Sequence, residues 1–457
     1  MTVQHWAIMA RLVRSGAKKR IRQQMVSSDT STRVATTEVG RDASPVEIKS
    51  RPSRPGRFAH GPFAAPLRKS HRALERPPFH CVALVLQGGG ALGAFQAGVY
   101  QALVEANLQP DWVSGISIGA INAALIAGNA PEKRLDKLHA FWDQVTAPHV
   151  PDFFGFADNY SGLADSWLRG DFGRGFLNRL NAGGTLLKGA AGFFTPRWPP
   201  AYLFPPGTIE ATSWYDTAPL RSTLEKLVDF DRINSGEMRF SVGSVNIRSG
   251  NFVYFDSTTH TIRPEHVLAS GALPPGFPPV EVEGELYWDG GLVSNTPLQW
   301  VVSGDTRQDT LAFQVDLWSA RGEVPSDLSD VLVRQKEIQY SSRTRANTDQ
   351  FKAIQTVRCA LANILEKLPP ELLEGEDGEI LRSVADRRVY KIVHLIYRSK
   401  NYEFQSKDYD FSRISMRDHW NAGYIDAIRT LRHPEALQRP ADPTGVATFD
   451  LAVDGRG

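Results

Sequence analysis

Ser117 stands between two glycines, Gly115 and Gly119, each two residues away, where a short β-rich run, Trp112 to Ile116, gives way to a helical stretch rich in Ala and Ile. G-x-S-x-G in strand–turn–helix context is the pattern of a nucleophile elbow. Its small residues permit a strained turn that pushes the hydroxyl out of the sheet, and the helix that follows points its positive end at the developing alkoxide. A serine hydroxyl is a poor nucleophile until a base takes its proton, so the pattern calls for a base and for donors to an oxyanion. A base candidate is Asp289, which follows a strand-like run ending at Trp288 and precedes Gly290 and Gly291. Such a loop lets other groups approach the carboxylate closely, although Asp-Gly by itself is an ordinary turn signal.

A glycine turn is the third element. In LVLQGGGALGAFQAGV, Leu84 to Val99, an apolar β-like segment runs into GGGALG, Gly88 to Gly93, and then into an Ala-rich helical pattern. G-x-G-x-x-G in that setting cradles either a dinucleotide pyrophosphate or an oxyanion, because backbone N–H groups converge on a small anion only where no Cβ intervenes. A dinucleotide fold would place an acidic residue at the end of the second strand, about 20 residues on. The second strand here leads into the Ser117 turn instead, which favours the oxyanion reading.

The elements that must position these residues can be read from periodicity. From Val82 to about Ala147 the order is strand, Gly turn, helix, strand, Ser turn, helix and a charged helix, the alternation of a parallel sheet covered by helices. Residues 149–210 interleave aromatics with Gly and Pro, and form either an insert packed over the core or an apolar cover of the site. Phe240 to Ile247 and Asn251 to Asp256 read as a hairpin, followed by a helix from Pro264 and the strand before Asp289. Beyond Trp300, TLAFQVDLW and VYKIVHLIYR read as strands separated by a polar helix over residues 328–368, and DHWNAGYIDAIRTL as a closing helix. This region, 303–440, is expected to complete the same sheet, with 441–457 a flexible tail.

At 457 residues and 42% hydrophobic content the chain can bury one large core or two ordinary ones. No run reaches the roughly 18 apolar residues of a spanning helix, and the apolar run near the start precedes its basic cluster, the reverse of a secretory signal. Two cysteines, Cys81 and Cys359, are too few for a disulfide framework and favour a reducing, cytoplasmic setting. No His or Cys spacing suggests a metal site, and no cofactor is expected. Residues 1–80 hold 16 Lys or Arg against 5 acidic residues, a balance of +11 in a chain whose net charge is +2. They are read as a disordered basic arm, with HWAIMARLVRSGAKKRIRQQ as a candidate basic amphipathic helix for a membrane surface.

GGGALG, GISIG and DGG in that order, with LASGALPPGFPPV before the last and SNTPL after it, resemble the patatin-like phospholipase family over about Leu84 to Trp300. Bacterial members with an added C-terminal region look similar beyond it. The resemblance implies a three-layer α/β/α fold with a mainly parallel central sheet, a catalytic region over 81–302 and hydrolysis of lipid acyl esters by a Ser–Asp dyad. Ser117 would be the nucleophile and Asp289 the base, with the N–H groups of Gly89 and Gly90 in an oxyanion hole built on the loop of Gly88, Gly89, Gly90 and Gly93. Leu92 departs from the pattern, standing where members often carry Arg or Lys. The implied partners are a lipid or phospholipid ester and a peripheral membrane surface, and no nucleic acid. Two other readings stand beside it: an α/β-hydrolase esterase with a Ser–Asp–His triad, its base His394 or His419, and a non-catalytic lipid-surface protein that keeps the fold.

Overall fold

The computed structural model describes residues 66–146, 182–303, 308–398, 406–441 and 444–451. The greater part of the expected basic arm, 1–65, and the first part of the insert, up to residue 181, lie outside the described residues.

The first half of the chain gives β1 (Cys81–Leu86), α1 (Ala94–Glu105), β2 (Trp112–Gly115), α2 (Ile118–Ala127) and α3 (Arg134–Val145). The rest of the insert carries a small ribbon of β3 (Thr195–Pro196) and β4 (Tyr215–Asp216), followed by α4 (Ala218–Leu227) and α5 (Phe230–Asn234). Next come β5 (Arg239–Asn246), β6 (Phe252–Asp256), α6 (Pro264–Ser270), β7 (Val280–Val282) and β8 (Glu285–Asp289). The C-terminal part supplies α7 (Leu298–Ser303), β9 (Thr310–Asp316), α8 (Leu328–Leu365), α9 (Glu376–Val384), β10 (Tyr390–Ile396), α10 (Arg413–Leu431) and β11 (Val446–Phe449).

The strands form one sheet in the order β11-β10-β9-β1-β2-β5-β8-β7, with β6 also paired to β5. From β11 to β5 every pairing is parallel, whereas β5 pairs antiparallel with β6 and β8, and β8 with β7. β1 lies inside the sheet and is buried on both faces, which is why its sequence CVALVL is a continuous apolar run without alternation. Val82, Leu84 and Leu86 join the core beneath α1, α2 and α10. Cys81, Ala83 and Val85 join Val301 of α7 and Phe351 of α8 on the other face. The result is a three-layer α/β/α arrangement. α1 and α10 come close enough that a Cβ on Gly98 would overlap the Trp420 carbonyl, and one on Gly423 the Phe95 carbonyl. Glycines at this crossing let the C-terminal helix seat directly on the first.

Two boundaries differ from the sequence expectation. Residues 66–80, read as part of the arm, are tied to the folded unit: Ala73 N–H donates to Glu105 O at 3.0 Å, Arg68 N–H to Arg432 O at 2.8 Å, and Phe79 is buried. The expected tail contains β11, whose VATF segment pairs with β10 from Tyr390↔Val446 to Val393↔Phe449. Four residues of moderate hydrophobicity carry little strand signal, and a partner strand more than 50 residues away in the chain supplies what they lack. The two cysteines are free and buried.

Candidate active site

The elbow forms because β2 runs straight into α2 with no room for a connecting loop. Ser117 takes up the turn at φ 56° and ψ −123°, a left-handed conformation that costs a non-glycine residue on the order of 1–3 kcal/mol. Its neighbours make the turn feasible. A Cβ on Gly115 would overlap the Gly119 carbonyl, and one on Gly119 would overlap the Leu86 carbonyl of β1. Ser117 N–H lies 3.1 Å from both the Oγ and the carbonyl oxygen of Ser270, whose hydroxyl donates to Gly243 O at 2.7 Å. The end of α6 thus holds the strained backbone, and α2, beginning at Ile118, points its N-terminus at the serine.

Asp289 closes β8 beside β5, in register with Ser244. It is 2% exposed, its carboxylate accepts the Gly291 N–H at 2.7 Å, and the Ser117 side chain stands beside it. Burial pushes the carboxyl up to about 6, against the smaller lowering effect of those two groups. A strand-end aspartate that sequence places 172 positions from the serine is therefore its neighbour in the fold. Gly290 allows the loop to pass over β5, since a Cβ there would stand 2.5 Å from Gly243 O.

The glycine turn lies against the serine. A Cβ built on Gly88 would fall 3.1 Å from Ser117 Cβ, and at Gly90 (φ 56°) it would overlap the Asp408 carbonyl. The four loop glycines do not stand alike. Gly88 is buried and its N–H donates to Asn295 O at 3.2 Å. Gly93 is also buried, pressed against the Ile118 side chain, with its carbonyl accepting from Asn122 Nδ2 at 3.0 Å. These two support the turn. Gly89 and Gly90 are partly exposed and lie at its open side.

Sequence reading did not find the polar frame around this turn. Gln87, fully buried, donates to Thr296 Oγ1 at 2.9 Å and accepts from the N–H groups of Leu317 and Trp318 at 2.6 and 2.9 Å. Its own carbonyl accepts from Gln96 at 2.7 Å, which accepts from Asn122 at 2.8 Å. Asn295 Nδ2 and Trp318 Nε1 each donate to Gly88 O at 3.0 Å. Asn295 belongs to the SNTPL flank, the one sequence signal that reached this frame. Tyr340 of α8 lies nearby, its phenol pushed up by burial and then by the Asp289 and Asp408 carboxylates.

The two histidines proposed for a triad sit elsewhere. His394 is on β10, separated from β2 by β9 and β1, with Nδ1 4.0 Å from Asp316. His419 is buried in α10, edge-on to Tyr397 with ring centroids 5.2 Å apart. Among the described residues no group of three or more His, Cys, Asp or Glu is placed to hold a metal ion, and no helix is long and apolar enough to cross a membrane. Leu92 is fully buried.

Comparison with known proteins follows the same lines. Residues 84–302 match the model of the patatin-like phospholipases, and residues 338–443 a second model described as patatin phospholipase. Lysophospholipase nte1 of Aspergillus oryzae is 47% identical over 264 residues, 57% of this chain and 13% of its own length. Lysophospholipase nte1 of Aspergillus terreus is 50% identical over 60 residues, 13% of this chain and 4% of its own. The chain thus spans a small part of these curated relatives. VipD from Legionella pneumophila, a solved structure, aligns with a TM-score of 0.34 and 14% identity, over 81% of this chain and 72% of its own. Two patatin models matched one after the other, the second taking in most of α8, then β10 and α10, make the chain a member of the patatin-like phospholipase family.

Proposed function

We propose that the protein is a lipid acyl hydrolase that cleaves carboxylic esters through Ser117 and Asp289. The observation that carries this reading is the buried Asp289 carboxylate beside the Ser117 side chain, next to a turn whose Gly89 and Gly90 are partly exposed. As the ester carbonyl arrives, Ser117 Oγ attacks it and Asp289 accepts the hydroxyl proton. Negative charge on the carbonyl oxygen is met by the N–H groups of Gly89 and Gly90. Collapse of the tetrahedral adduct breaks the ester C–O bond, and the departing alkoxide regains the proton from Asp289. Water, deprotonated by the same carboxylate, then attacks the acyl-serine, and the acyl C–O bond to Ser117 breaks as Oγ takes the proton from Asp289, releasing the fatty acid and restoring the pair. Burial serves the base, because a carboxylate held near 6 is a stronger base than one in water.

The relatives' description as lysophospholipases makes single-chain phospholipids the first substrates to test. Contact with a lipid surface is the companion proposal. Trp198 is 88% exposed and Trp214 52%, with Tyr202 and Leu203 exposed between them. Arg197 N–H donates to Trp214 O at 3.0 Å, which brings the two tryptophans together on one ribbon. That ribbon is fastened by Trp214 N–H to Pro275 O at 3.1 Å, in the turn that follows α6. Exposed Trp and Tyr rings suit a membrane–water boundary, where an apolar body meets a wet tip.

The deciding experiment is release of fatty acid from lysophosphatidylcholine, and of p-nitrophenol from its butyrate, by the protein and its Ser117→Ala variant. Turnover that disappears in the variant is the expected result. A protein that releases neither product, or a variant as active as its parent, would return the chain to the non-catalytic reading.

A further inference from the structure

We propose that Trp318 and Asn295 are positioning residues for the oxyanion site, aiming the Gly89 N–H by gripping the carbonyl at the other end of the same peptide. The proposal rests on the hydrolase reading above. The N–H of Gly89 and the C=O of Gly88 belong to one planar trans peptide, in which they point in opposite directions. Two donors converge on that carbonyl, Trp318 Nε1 and Asn295 Nδ2, both at 3.0 Å. Fixing the oxygen therefore fixes the direction of the N–H. Accepting two bonds also polarises the amide and makes its N–H a better donor, an effect that grows where water is excluded. The next peptide follows the same rule more simply: Gly89 O accepts from Leu92 N–H at 3.2 Å, which turns the Gly90 N–H away from the helix.

Trp318 is in turn held on several sides. Its backbone N–H is bound by Gln87, its ring lies 5.2 Å from that of Tyr340, and Lys407 Nζ stands 5.1 Å from the ring centroid. Lys407 is buried and pairs with Glu337 at 2.9 Å. One residue further on, Asp408 O accepts from Ala91 N–H at 2.8 Å, while Lys336 donates to the Asp408 carboxylate at 2.9 Å. Glu337, Lys336 and Tyr340 all belong to α8. The nucleophile and the base come from the first matched region. The frame that aims the donors comes in large part from the chain beyond it, so that α8 and residues 407–408 act on the site through Trp318 and Ala91.

The test uses the full chain with Trp318 replaced by β-(3-benzothienyl)alanine, a near-isostere with sulfur where the indole has N–H, alongside Trp318→Phe and Asn295→Ala. Removing an oxyanion donor outright costs about 10²–10³ in kcat, and loosening its anchor is expected to cost about tenfold. Hydrolysis of p-nitrophenyl butyrate should therefore lose about tenfold in kcat with KM changed by less than about twofold, since the donor matters most once charge has developed. Combining the isostere with Asn295→Ala should cost less than the product of the two losses, because both grip one oxygen. An isosteric variant with wild-type kcat, or one whose loss lies wholly in KM, would overturn the proposal. Ser117→Ala separates the two levels: if it is inactive while the isostere keeps full activity, only the positioning role falls. If it keeps wild-type activity, the hydrolase reading falls with it.

Discussion

The Ser117 side chain stands beside Asp289, a carboxylate only 2% exposed at the end of β8, the strand beside β5. The proposed base is a group that ordinarily titrates near 4, brought to about 6 by removing water from around it. Each side chain is held by its own backbone surroundings: the strained turn fixes the hydroxyl, and the Gly291 N–H fixes the carboxylate.

If that pair is the catalytic unit, Ser117→Ala and Asp289→Asn each abolish ester turnover, with losses of at least about 10²-fold, while His394→Gln and His419→Gln stay within about fivefold of wild type. Circular dichroism establishes that each variant is folded. A folded His394→Gln or His419→Gln protein as inactive as Ser117→Ala would hand the site to a Ser–Asp–His triad.

Activity should depend on pH through the same carboxylate. Asp289 must be ionised to accept a proton, so kcat/KM for a soluble ester is expected to rise as pH passes through about 6 and to level off above 7. Profiles measured between pH 4.5 and 9 check this. A rising limb centred near 4 would mean that the buried carboxyl is not the titrating base.

Stability should run the other way. The folded-state value of about 6 lies above the ordinary value of 3.8, so the folded protein prefers the neutral carboxyl. The stabilising contribution is fully present below about 4 and is lost as pH rises through 6, leaving a buried charge that opposes folding at pH 8. Asp289→Asn removes that charge and is expected to be more stable than wild type by on the order of 2 kcal/mol at pH 8, with little difference near pH 4. Urea unfolding at the two pH values measures it, and a destabilised Asn variant at pH 8 would contradict the account.

Membrane contact makes separate predictions for the ribbon and the arm. Trp198→Ser combined with Trp214→Ser should lower hydrolysis of vesicle-embedded substrate several-fold while leaving hydrolysis of p-nitrophenyl butyrate unchanged. Deleting residues 1–65, which hold 12 of the 16 basic residues before position 81, should weaken binding to anionic vesicles at low salt and matter less as salt rises. The deletion stops at 65 because Arg68, His71 and Ala73 are bonded to the folded unit. Equal loss on soluble and embedded substrates would place the tryptophans in the fold and not at a surface.

What the sequence determined by itself was whatever has a local cause. Ser117 was legible because an elbow needs small residues at fixed offsets, and the glycine turn because anion-binding backbone excludes side chains. The strands and helices that carry them were legible from periodicity, including the hairpin of β5 and β6 and the long helix α8. Asp289 was visible only as a strand-end turn, made significant by its order among the three motifs. Tertiary structure decided the rest. How the GGGALG turn is held depends on Asn295 and Ile118, residues 207 and 30 positions from Gly88, packing against Gly88 and Gly93. VATF became a strand because β10 offered an unpaired edge, and residues 66–80 became part of the unit because Glu105 and Arg432 offered them carbonyls. Gln87 and Trp318 are unremarkable in a linear reading. They matter because a buried amide and an indole N–H must find partners when the sheet closes around them: the amide found the backbone of Leu317 and Trp318, and the indole the Gly88 carbonyl of the glycine turn.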